Sequence, residues 1–134
     1  MTSPPPLDTA AAAREEFQRQ FGTSPIGVVF APGRVNLIGE HTDYNEGFVL
    51  PAAIDLELRI GGQRTADRTV QISSDRTGET LGFRLDAIRP ASGEWIDYVA
   101  GVARELDTSG IAATGFRGEL TASLPAQAGL SSSA

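Results

Sequence analysis

Between Arg34 and Asp43 the chain gathers one guanidinium, two carboxylates (Glu40 and Asp43) and its single imidazole, His41, beside a glycine at position 39. Carboxylates accept two hydroxyls at once and an imidazole donates or accepts, so a short loop of this kind can hold a polyol ring. The plainer reading is a turn in which His41 makes a structural hydrogen bond, Glu40 and Asp43 are solvated, and Arg34 joins a surface ion pair worth little. A second candidate is Gly129-Leu130-Ser131-Ser132-Ser133, just after Pro125. Glycine lets backbone approach a phosphate closely, and N–H groups at a helix start converge on an anion. Serine hydroxyls add donors, or an oxygen ligand for a hard cation such as magnesium. Taken alone, such a run is more often a flexible Gly/Ser tail. A Ser–His–Asp hydrolase built from His41, Asp43 and one of these serines lacks the Gly-x-Ser-x-Gly elbow.

What the chain lacks narrows the chemistry further. It has 134 residues, 40% hydrophobic and 21% charged, with no Cys and one His, and all 11 basic residues are Arg. That is about one domain of ordinary globular composition. Without Cys there is no disulfide framework, thiol nucleophile or thiolate zinc site, and one imidazole cannot build a multi-His metal centre. Without Lys there is no Schiff base, no Walker A loop and no kinase strand lysine. A net charge of −6, with arginines scattered from Arg14 to Arg117, offers no basic stripe for nucleic acid. No apolar run is long enough to span a bilayer, and the Pro-rich start followed by Ala10 to Ala13 is not a signal peptide, so no membrane partner and a cytoplasmic location are expected.

The elements that must position these residues follow from periodicity. Ala10, Ala13, Phe17 and Phe21 step by three and four, with Gly22 just beyond, which predicts a helix over 8–21. Ile26 to Ala31 predicts a buried strand ending in a turn at Pro32-Gly33. Ile54, Leu56, Leu58 and Ile60 alternate with Asp55, Glu57 and Arg59, a half-buried strand that Gly61-Gly62 is expected to stop. Val70 and Ile72, then Leu81, Phe83 and Leu85, repeat the alternation around a turn at 75–78, predicting an antiparallel meander. Trp95, Val99, Val102 and Leu106 share a helical face between Ser92 and Gly110. Phe116, Leu120, Ala122 and Leu124 alternate with Arg117, Glu119, Thr121 and Ser123, predicting a last strand that runs into Pro125.

APGRVNLIGEHTDYNEGFVLP, from Ala31 to Pro51, resembles the signature of galactokinases, a branch of the GHMP small-molecule kinases. FQRQFG at Phe17 to Gly22, WIDYVAGV at Trp95 to Val102 and LPAQAGLSSSA at Leu124 to Ala134 resemble the same family in the same order. The resemblance implies an α/β (α+β) fold: a GHMP-kinase N-terminal domain, similar to ribosomal protein S5 domain 2, with a mixed sheet packed against helices. The Pro-rich segment over 1–9, which the resemblance leaves out, is expected to be disordered, and residues 10–134 to form a domain truncated at its C-terminal end.

The same resemblance implies roles. Glu40, His41 and Asp43 would hold the hydroxyls of D-galactose, with Thr42 in the same loop, and Arg34 would stabilise charge on the transferring phosphoryl group. Gln127, Ala128, Gly129, Leu130, Ser131, Ser132 and Ser133 would cradle the phosphates of ATP, with Ser133 as a ligand of Mg2+. Phosphoryl transfer to the anomeric hydroxyl then rests on positioning and electrostatics, without a Walker lysine. Gln127 stands where the family usually has glycine. The family's catalytic aspartate, magnesium-binding glutamate and C-terminal Gly-rich loop would lie beyond Ala134, leaving this chain inactive alone. Alternatives are a non-catalytic galactose- and ATP-binding sensor, or an inactive fragment with exposed apolar surface. Neither residues nor resemblance specify an oligomeric state.

Overall fold

A computed structural model of the chain describes residues 9–39 and 45–125. In chain order the elements are α1 (Thr9–Phe21), β1 (Gly27–Ile38), β2 (Leu50–Thr65), β3 (Thr69–Ser74), β4 (Thr80–Arg84), α2 (Ile96–Thr108) and β5 (Gly115–Ala122). The strands form one five-stranded sheet in the order β1-β2-β5-β3-β4. All neighbours are antiparallel except β3 and β5, which run parallel with Val70 opposite Phe116 and Ile72 opposite Gly118. The sheet is therefore mixed, and the expected meander is only half present: β3 and β4 pair, but β5 is inserted between β2 and β3.

Both helices end where glycine permits it. Gly22 and Gly110 have φ of 70° and 78°, in the left-handed region that residues with a Cβ avoid. At the end of α2 the Ile111 N–H donates to the Leu106 carbonyl at 2.9 Å, satisfying one of the helix's last acceptors. The start of α2 has no side-chain cap. Instead the Asp97 carboxylate reaches back and accepts the backbone N–H groups of Ser92 and Gly93, both at 2.7 Å.

The main core lies between the sheet and α2. Val70, Ile72, Leu85, Ile96 and Ala103 are buried there, with Phe83, Val99, Phe116 and Leu120 packed against them. Burying each large aliphatic side chain contributes about 1.5–3 kcal/mol. The buried positions of α2 are Ile96, Ala100 and Ala103. The face expected from sequence is thus rotated by about one position: Val99 turns inward, whereas Val102 is 62% exposed.

On the opposite face α1 buries Ala13 and Phe17. It approaches β2 so closely that a β-carbon on Gly61 would stand 3.0 Å from the Ala13 carbonyl oxygen. On the other face, the ring of Phe116 occupies the space a β-carbon on Gly62 would need. The pair Gly61-Gly62 therefore does not stop β2, as expected from sequence. It lets a helix and an aromatic ring press on the strand from its two sides, and pairing continues to Thr65 opposite Gly115.

Pro32-Gly33 is not a turn either, because β1 runs through it to Ile38. β1 is an edge strand, so the proline nitrogen costs no ladder hydrogen bond when it faces outward. Apolar side chains stand exposed along this edge and the start of β2, among them Val29, Phe30, Leu37, Ile38 and Leu50.

Candidate active site

Of the residues expected to act, Arg34 alone lies among the described residues. Glu40, His41, Thr42 and Asp43, and the run Gln127 to Ser133, lie outside them. The site is therefore described by the framework from which those two segments leave.

Arg34 sits on β1 opposite Ala53, with its side chain exposed. The ladder shifts just before it: Pro32 pairs with Glu57 and Arg34 with Ala53, so Gly33 alone faces the stretch Ile54 to Leu56. Such an irregularity bends a strand and re-aims the side chains beside it. Gly33 is buried, because Leu124 and Ile54 pack over it where a β-carbon would stand. Beyond Arg34, the strand ends at Ile38 and Gly39 follows with φ of 95°, the conformation that turns the backbone out of the sheet toward residues 40–44. At about 3.3 Å per residue, Arg34 lies some 15–20 Å along the strand from that turn.

The other segment leaves from the end of β5, and that end is tightly held. The Ser123 N–H donates to the Glu57 carbonyl at 3.0 Å, and the Glu57 N–H donates to the Ser123 hydroxyl oxygen at 2.9 Å. Leu124 is 2% exposed, and its carbonyl accepts a hydrogen bond from the Arg76 guanidinium. Asp75, next to Arg76, donates its N–H to the Leu120 carbonyl at 3.1 Å. Burial pushes the Asp75 carboxyl above the usual carboxylate range, against the pull of the Ala122 N–H that it accepts. The Leu124 side chain thereby packs onto Gly33, one residue from Arg34. Arg76 and Ser123 are the residues that sequence reasoning missed, since their partners lie 48 and 66 positions away.

Elsewhere, a groove of about 520 Å³ runs between β4 and α2, lined by Phe83, Arg84, Ile88, Arg89, Ile96 and Asp97. It includes neither β1 nor the end of β5. Among the described residues, no group of three or more His, Cys, Asp or Glu could hold a metal ion. No helix among them is long and apolar enough to cross a membrane.

Comparison with known proteins agrees with this framework. A family model described as the galactokinase galactose-binding signature matches residues 15–64. The galactokinase of Roseiflexus sp. (strain RS-1) is 44% identical over 129 residues, covering 96% of this chain and 32% of the relative. That of Chloroflexus aggregans is 41% identical over the same shares. Among solved structures, Lactococcus lactis galactokinase complexed with galactose superposes with a TM-score of 0.80 at 33% identity, over 92% of this chain and 33% of that one. Methanococcus jannaschii mevalonate kinase gives 0.64 at 26% identity, over 82% and 36%. The chain spans about a third of the length of the curated relatives it matches. By sequence and by fold the chain is similar to galactokinases over about a third of their length, and its mixed sheet is that of a GHMP-kinase N-terminal domain.

Proposed function

We propose that this chain supplies the sugar loop and the phosphate loop of a galactokinase, an enzyme that transfers the γ-phosphoryl group of MgATP to the anomeric hydroxyl of D-galactose to give galactose 1-phosphate. The observation that carries this reading is the match of residues 15–64 to the galactose-binding signature, which spans the second half of α1, β1, the loop and nearly all of β2. Glu40, His41 and Asp43, with Thr42, hold the sugar hydroxyls. The exposed guanidinium of Arg34 stabilises charge on the phosphoryl group in flight, where a fixed donor acts most strongly on the charge that develops.

ATP and Mg2+ fit the donor set of residues 127–133, which offers backbone N–H groups, a glycine and three serine hydroxyls. For the ion these residues offer hydroxyl oxygens, with Ser133 assigned to it, and no carboxylate. When bound, MgATP supplies the transferable phosphoryl group. This chain's own part is to place the anion: Leu124 on Gly33 and Arg76 on the Leu124 carbonyl fix where the phosphate loop starts relative to Arg34. The aspartate, glutamate and Gly-rich loop that complete the family's machinery belong to the two thirds of the relatives that the chain does not match.

The test joins this chain in frame to the unmatched two thirds of the Roseiflexus galactokinase and follows galactose 1-phosphate by NMR. Formation of the product that requires both galactose and MgATP supports the reading. Binding of galactose and ATP without turnover replaces it with that of a sensor. No binding of either by a folded chimera overturns both.

A further inference from the structure

We propose that Glu119 makes the seating of α1 dependent on pH, so that the helix is latched to the sheet while Glu119 carries a proton and is released as that proton is lost. The geometry carries the inference. Glu119 is 2% exposed in the middle of β5, opposite Gly61 on β2 and Ser73 on β3, on the sheet face that α1 covers. A hydrogen-bonded chain runs to it from α1: the Gln20 side-chain amide donates to the Thr80 hydroxyl at 3.3 Å, and Thr80 donates to the Ser73 hydroxyl oxygen at 3.2 Å. Ser73 in turn donates to the Glu119 carboxyl. Oε2 of Glu119 has no partner among the described residues, so an ionised carboxylate here would be desolvated with half of its acceptor capacity unused.

The charged groups around it do not relieve this. From α1, Glu16 is of like sign, and Arg19 is bound to Glu16 in an ion pair. From the turn after β3, Asp75 is of like sign, and Arg76 is committed to the Leu124 carbonyl. On β2, Arg59 pairs with Glu57. On β5 itself, Arg117 lies over the Phe21 ring at 5.3 Å. Burial, the strongest influence, pushes the Glu119 carboxyl above the usual range, and only Ser73 and the more distant Arg19 pull the other way.

The sign of the effect follows. A carboxyl with a raised pKa in the folded state binds more protons than in the open state, so the seated form loses stability as pH rises through the interval between the two values. Lifting α1 exposes Glu119 to water without breaking the β3–β5 ladder, so local opening of one helix is the expected response.

Amide hydrogen exchange of the full chain at about pH 5.5 and about pH 8, corrected for intrinsic exchange rates, tests this. The opening constant of α1 amides is expected to rise across that interval, while β3 amides hold steady. In Glu119→Gln the α1 response should be flat. Ser73→Ala removes a donor to the ionised form and should move the wild-type transition to higher pH. It supplies the readout even if Glu119→Gln does not fold. Equal α1 opening at both pH values overturns the latch. So does a wild-type response retained in Glu119→Gln, which would assign the titration to Asp75.

Discussion

Leu124 stands on Gly33: the side chain at the end of the central strand fills the place of a β-carbon on the edge strand, one residue from Arg34. Substituting Gly33 therefore tests the framework without touching any residue proposed to meet a ligand. Gly33→Ala forces Leu124 and Ile54 aside and is expected to lower stability by about 1–3 kcal/mol, measured by urea unfolding. A variant as stable as the parent would mean that Leu124 has room to move and does not fix the phosphate-loop stem.

Arg34→Ala, made in the chimera with the Roseiflexus galactokinase remainder, should lower kcat about a hundredfold or more with little change in either KM. Steady-state kinetics with galactose and ATP varied in turn decide it. A pure KM effect would place the guanidinium on the ground state of a substrate rather than on the transferring group.

Asp43→Ala in the same chimera should raise the KM for galactose about tenfold to a hundredfold, the cost of a lost hydrogen bond to a charged group, and leave the KM for ATP nearly unchanged. Equal losses for both substrates would remove Asp43 from the sugar loop.

Asp97 gives a pH signature opposite to that of Glu119. Desolvation, its strongest single influence, pushes the carboxyl up, but the N–H groups of Gly93 and Ser92 and the Ser92 hydroxyl together hold it below the usual range. A lowered pKa contributes stability above the unfolded value that is lost as pH falls through the folded one. Asp97→Asn should therefore melt below the parent at neutral pH, with the gap closing as pH falls below the usual carboxylate range in thermal circular dichroism. A gap independent of pH would mean that shape rather than charge makes the contribution.

Much of this fold was legible because its signals are local. Phe17 and Phe21 at helical spacing before Gly22, and Ile54 to Ile60 in strict alternation, each specify an element within a few residues. The errors fell where distant partners decide. Pro32 looks like a strand end until its strand proves to be an edge, where a missing N–H costs nothing. Gly61-Gly62 looks like a stop until α1 and the Phe116 ring are seen pressing on either side. Glu119 alternates like a solvent-facing residue, because nothing near it announces that α1 returns to cover that face. The loop from Glu40 to Asp43 was legible as chemistry, through residue types alone, and lies outside the described residues.

The insertion of β5 between β2 and β3 has a consequence for how the chain must assemble. The pairs β1–β2 and β3–β4 are hairpins that can form from neighbouring sequence, but each is left with an open inner edge until the strand that joins them arrives. That strand emerges from the ribosome last of the five, after α2, so both halves wait with unpaired backbone at what will become the centre of the sheet. Contacts of such long sequence separation fold slowly. Variants that weaken β5 should therefore show themselves first as aggregation during synthesis, before any change in the finished protein.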